Sequence, residues 1–180
     1  KLVGITSLDV YRANTFASNI KGATFVPVIG GHAGNTIVPL FSLASQPLDL
    51  EGEALDKITQ RVMFGGEEVV KAKAAAGGGS ATLSMASAGA RFVESCLIGL
   101  TGRLVSNEVG YVENAPAMAA FGTKFFASEI DLNAAGVVAV KPTWERANAY
   151  EQKLVADMVP DLIKQIEKGA AFANQAEEKQ

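Results

Sequence analysis

Asp9, Arg12 and His32 are the residues whose types and spacing could do chemistry together. They lie in Leu8-Asp9-Val10-Tyr11-Arg12-Ala13-Asn14 and in Gly30-Gly31-His32-Ala33-Gly34, and His32 is the single histidine of the 180 residues. A carboxylate bonded to one imidazole nitrogen fixes the tautomer and stabilises the cation, which frees the other nitrogen to exchange a proton with a ligand. Arginine is the side chain best shaped to hold a carboxylate by two parallel hydrogen bonds. Taken singly, a histidine between glycines is usually a turn residue, and Asp-x-x-Arg on a helix is usually a surface ion pair. Together they read as proton transfer on a small organic acid.

The elements that must position them follow from periodicity. Leu8, Tyr11, Thr15, Phe16 and Ile20 predict a helix from about Ser7 to Lys21, with Ser7 as N-cap and Gly22 as stop, and this puts Asp9 and Arg12 on one face. Phe25 to Ile29 and Thr36 to Leu43 read as strands, which leaves His32 at the tip between them. A second helix is predicted over 53–75, with Gly65-Gly66 as a place where it can bend. Gly77-Gly78-Gly79 ends it, and Ser80 is placed to cap a third helix running to about Leu100. Residues 103–141 suggest three strands joined by loops, with no functional pattern recognised over 113–136. A last helix is predicted over 144–175, kinked or restarted at Pro160, with a frayed tail at 177–180.

The composition, 48% hydrophobic, suffices for one domain with its own core. Sixteen basic against nineteen acidic residues, with no basic block, argue against nucleic-acid and membrane partners and for a small molecule or another protein. The uncharged stretch 22–48 is broken by Pro27, Pro39 and glycines, too interrupted for a spanning helix. Cys96 alone cannot form an internal disulfide and reads as a core residue. One histidine and one cysteine supply no closed metal site, and the glycine run at 77–79 lacks the lysine of a phosphate loop. The chain opens on Lys1 with no targeting pattern, which reads as a cut beginning.

Leu8-Asp9-x-x-Arg12-Ala13-Asn14, Gly30-Gly31-His32-Ala33-Gly34-x-Thr36-Ile37 and Gly79-Ser80-Ala81-Thr82-Leu83-Ser84-Met85-Ala86 resemble the motifs of the NAD-dependent malate dehydrogenases, most closely the mitochondrial and bacterial dimeric branch. The resemblance spans nearly the whole chain. It implies His32 as proton donor and acceptor, Asp9 as the carboxylate that orients it, and Arg12 as the clamp on a substrate carboxylate. Ala81 is implied to leave room at the substrate's far end, Met85 to pack near the nicotinamide, and Asn14 to hold the backbone. The implied fold is α+β, a twisted, mainly antiparallel sheet packed with long helices, forming the C-terminal catalytic domain over 1–176.

The dinucleotide fingerprint Gly-x-Gly-x-x-Gly does not occur in these residues. In the family it belongs to an N-terminal Rossmann half, together with a mobile loop whose arginines complete dicarboxylate recognition. The expectation is therefore a catalytic portion, inactive alone, of an enzyme interconverting L-malate and oxaloacetate with NAD. The implied partners are a dicarboxylate and a second copy of the chain. A mitochondrial matrix, another organelle such as a glycosome or glyoxysome, or a bacterial cytoplasm would suit that branch. The alternatives are a lactate-dehydrogenase-like 2-hydroxyacid dehydrogenase and a non-catalytic dimerisation fragment.

Overall fold

The structure, a computed structural model, describes residues 2–74 and 82–177. The order of elements is β1 (Leu2–Ile5), α1 (Ser7–Lys21), β2 (Val28–Gly30), β3 (Ile37–Pro39), α2 (Gly52–Ala74), α3 (Thr82–Leu100), β4 (Val105–Glu113), α4 (Ala115–Phe121), β5 (Phe125–Asn133), β6 (Gly136–Val140) and α5 (Ala149–Glu177). The expected α+β architecture is observed: a six-stranded antiparallel sheet in the order β1-β4-β5-β2-β3, with β6 on β5. Strand β5 is its spine. One edge pairs with β4 over most of its length, and the other is shared between Gly30 of β2, opposite Ala127, and β6 from Ile130 onward.

Strands β2 and β3 are buried on both faces, so their side chains alternate between two cores. Val28 and Ile37 join Val10, Ala13 and Ala17 of α1 and Val62 and Met63 of α2. Ile29 and Val38 join Phe126, Trp144 and Val155, Met158 and Leu162 of α5. Phe92 of α3 packs with Val112, Ile130 and Leu132 in a third cluster. The loop after β2 is thus gripped between α1 and α2 on one side and α5 on the other.

Several boundaries differ from the sequence expectation. Thr6, not Ser7, precedes the first helical residue, and the cap is backbone only, with the Thr6 carbonyl accepting from the Asp9 and Val10 amides at 3.0 and 3.3 Å. The strands around His32 are three residues each: residues 25–27 before β2 form no regular element, and short 3-10 turns at Gly34–Thr36 and Phe41–Leu43 flank β3. Helix α2 runs unbroken through Gly65 and Gly66, and α5 through Pro160. The last helix begins at Ala149 rather than 144, because Asn148 and Glu151 form a reciprocal capping box: the Glu151 amide donates to Asn148 Oδ1 at 2.9 Å and the Asn148 amide to Glu151 Oε2 at 3.2 Å. The three strands over 103–141 are present, but α4 interrupts them, capped by Asn114 Oδ1, which accepts from the Ala117 amide at 2.9 Å. Gly77-Gly78-Gly79, Ser80 and Ala81 lie outside the described residues.

Candidate active site

Helix α1 presses Val10, Ala13 and Ala17 into the core, a three- to four-residue repeat that turns the adjoining Asp9 inward as well. Asn14 fixes the next segment, its Oδ1 accepting from the Val26 amide at 2.7 Å. After β2 the chain folds back on itself. The Gly31 amide donates to the Thr36 carbonyl at 2.7 Å, and the Thr36 hydroxyl donates to the Ala33 carbonyl at 2.8 Å while accepting from the Ala33 amide at 3.2 Å. A Cβ on Gly31 would lie 2.3 Å from Thr36 Oγ1, so this loop closes only around a glycine. Asn35 Nδ2 donates to Asp161 Oδ2 of α5 at 2.6 Å and ties the loop down from outside.

That box holds His32 against α1. The Nδ1–H of His32 donates to Asp9 Oδ2 at 2.6 Å, and Arg12 Nη2 donates to Asp9 Oδ1. One carboxylate therefore serves both side chains, one through each oxygen. The Asp9 side chain is 0% exposed, Arg12 14% and His32 56%. A buried, ionised acid needs such partners, since an unpaired charge there would be very costly. The tautomer that donates from Nδ1 leaves Nε2 as the nitrogen free of Asp9. The hydrogen bond to Asp9 raises the His32 pKa above its ordinary 6.5; partial burial opposes this, the Asp9 charge adds to it, and the Arg12 charge subtracts.

A cleft of about 520 Å³ opens beside the triad, lined by Arg12 and His32, by Met63, Gly66 and Lys71 of α2, and by Met85 of α3. Arg12 crosses α2 at its two glycines: a Cβ on Gly65 would sit 3.2 Å from Arg12 Cδ, and one on Gly66 3.0 Å from Nη1. Each glycine inside a helix costs about 1 kcal/mol relative to alanine. The close passage of Arg12 gives both glycines a packing reason. Arg12 Nε is buried without a partner.

Asp9, Arg12 and His32 thus come together, and Met85 shares their cleft; Ala81 lies outside the described residues. Gly66, Glu67 and Lys71 at the cleft were missed as site residues. The Glu67–Lys71 spacing reads as an ordinary i,i+4 surface pair, and its ends are 3.4 Å apart. Nothing in the sequence says that Arg12 would cross α2 there. Among the described residues no group of three or more His, Cys, Asp or Glu could hold a metal ion, and no helix is long and apolar enough to cross a membrane.

The antiparallel sheet thus presents a helix-borne Asp-x-x-Arg to a loop-borne histidine. Residues 6–173 match the family model described as lactate/malate dehydrogenase, alpha/beta C-terminal domain, and the chain belongs to that family. It is 46% identical to a malate dehydrogenase of Glaesserella parasuis over 180 residues, which covers 97% of this chain and 55% of that relative. It is 44% identical to a mitochondrial malate dehydrogenase of Chlamydomonas reinhardtii, with 98% and 46% covered. The chain spans about half the length of these curated relatives. The fold superimposes on the apo structure of malate dehydrogenase from Picrophilus torridus with a TM-score of 0.72 at 23% identity, covering 97% of this chain and 54% of that one.

Proposed function

We propose that the whole protein interconverts malate and oxaloacetate with NAD, and that this chain holds the proton and one of the two substrate carboxylates. The observation that carries the reading is that one buried carboxylate, Asp9, is bonded at once to Arg12 and to His32 at the wall of an open cleft. The names of the relatives, malate dehydrogenases at 42–46% identity, support malate over lactate.

In oxaloacetate reduction the substrate's C1 carboxylate meets the remaining donors of Arg12, a charge-assisted contact strengthened where water is excluded. Protonated His32 gives its Nε2 proton to the carbonyl oxygen as the carbonyl carbon is reduced, and Asp9 stabilises the imidazolium before transfer and keeps the ring aimed afterwards. In malate oxidation the neutral ring takes the hydroxyl proton. Hydride transfer is the chemistry of bound NAD. Met85 and Leu8 offer an apolar wall beside His32 that fits the nicotinamide end alone, since the chain contains no Gly-x-Gly-x-x-Gly run. The dinucleotide site and the cation for the second carboxylate are assigned to a further half of the protein. We extend the proposal to a homodimer through α1 and α3, supported by the exposed apolar row Val93, Leu97 and Leu100.

The test is initial rates of NADH oxidation by the whole protein with oxaloacetate and with pyruvate. A kcat/KM favouring oxaloacetate by orders of magnitude is expected; a preference for pyruvate would move the assignment to lactate.

A further inference from the structure

We propose that Gly66 is a positioning residue for the Arg12 guanidinium, its missing Cβ being the space in which Nη1 lies. The inference rests on the reading of Arg12 as a carboxylate clamp. Glycine is a poor residue for a helix interior, and Gly66 lies inside α2 with no left-handed backbone angle to require it. A Cβ at this position would meet two atoms within 4 Å, Arg12 Nη1 at 3.0 Å and Cζ at 3.9 Å. Both belong to the far end of a flexible side chain, so the fold can absorb an alanine there and the guanidinium cannot keep its place. Asp9 holds the other end of the fork through Nη2. Pushing Nη1 away from α2 while Asp9 holds Nη2 tilts the guanidinium about the Asp9 contact and changes the aim of its free donors in the cleft that Arg12 and Gly66 both line. Gly65 differs, because its Cβ would first meet Cδ, on the stem of the side chain.

A glycine kept for packing and one kept to place a cation respond differently to Gly66→Ala. In the whole protein, with oxaloacetate and NADH as the probe, Gly66→Ala is expected to melt at the same temperature as wild type or higher, since alanine is the better helix former. Its KM for oxaloacetate should rise roughly three- to tenfold, since a Cβ 3.0 Å from Nη1 obliges the guanidinium to give by a few tenths of an ångström and binding geometry is sensitive on that scale. The pH at which reduction falls off should stay put, because the Asp9–His32 bond is not touched. Combined with Arg12→Gln, the alanine should add little, as expected for two changes acting through one side chain. An unchanged KM beside an impaired Arg12→Gln would overturn the role of Gly66 alone. So would the same fold-loss from Gly66→Ala in the Arg12→Gln background. If Arg12→Gln is itself indistinguishable from wild type, the clamp reading fails and this inference with it.

Discussion

Asp9 and His32, 23 residues apart in sequence, meet through a 2.6 Å hydrogen bond between a carboxylate sealed from solvent and a ring more than half exposed. The asymmetry suits a proton shuttle. The carboxylate is fixed in place by its packing and by Arg12, while the imidazole stays more than half exposed and its hydrogen bond to Asp9 raises its pKa above 6.5.

Asp9→Asn removes the main cause of that rise and leaves partial burial and Arg12, both of which lower the pKa. In the proposed mechanism oxaloacetate reduction needs protonated His32, so its kcat/KM is expected to fall as pH rises through the His32 pKa. In wild type the fall is expected above pH 6.5, and in Asp9→Asn at lower pH, with reduced rate throughout. Because the folded pKa is raised, the His32–Asp9 bond also adds stability below the unfolded pKa, and this is lost as pH rises through the folded value. Paired pH–rate profiles check the shift.

Arg12→Gln keeps the length of a polar side chain and removes the charge. Losing charge-assisted bonds to a carboxylate should lower kcat/KM for oxaloacetate by roughly 10²–10³-fold, with KM and kcat both affected. Steady-state kinetics decide it; an effect under threefold would remove Arg12 from the clamp.

Gly31→Ala should destabilise the fold by about 1–3 kcal/mol, as overpacking does. Its Cβ would press on Thr36 Oγ1 at 2.3 Å, Thr36 Cβ at 2.8 Å and Leu162 Cδ1 at 3.1 Å. Urea denaturation reads the loss, which contrasts with the neutral or stabilising effect expected at Gly66.

Residues 1–180 expressed alone should show no malate oxidation with NAD above background. Arg12 can neutralise one of the two carboxylates, and an open cleft weakens every charge contact in it. Leu97→Lys on the exposed apolar row of α3 should shift the whole protein toward monomer, read by sedimentation velocity.

The helix bearing Asp9 and Arg12 and the turn bearing His32 were legible from local signals, Gly22 after the helix and the glycines around the histidine, but the buried face of α1 was not: Tyr11, Thr15 and Ile20 of the predicting repeat are exposed, and Val10, Ala13 and Ala17 are buried instead. Helix α4 was passed over although Asn114 followed by Ala115-Pro116 is a helix-start signal, because neighbouring valines and phenylalanines read as strand throughout. The early start given to the last helix overlooked Asn148-x-x-Glu151, a local motif. Other features are not local. Glu108 is buried and bonded bidentately by Arg91 at 2.7 and 2.6 Å and by Ser95 Oγ at 2.6 Å, a network that pins α3 to β4 beside a bulge where Asn107 takes φ 68°. Neither that pairing nor the passage of Arg12 over Gly66 can be inferred from spacing, because each joins elements whose mutual placement only the folded chain supplies.

The most direct test of the central claim is oxaloacetate-dependent NADH oxidation by the whole protein carrying His32→Asn. The account predicts a loss of roughly 10²–10⁴-fold in kcat, the range for removing a general acid, with the folded structure retained. Turnover within a few-fold of wild type would contradict it.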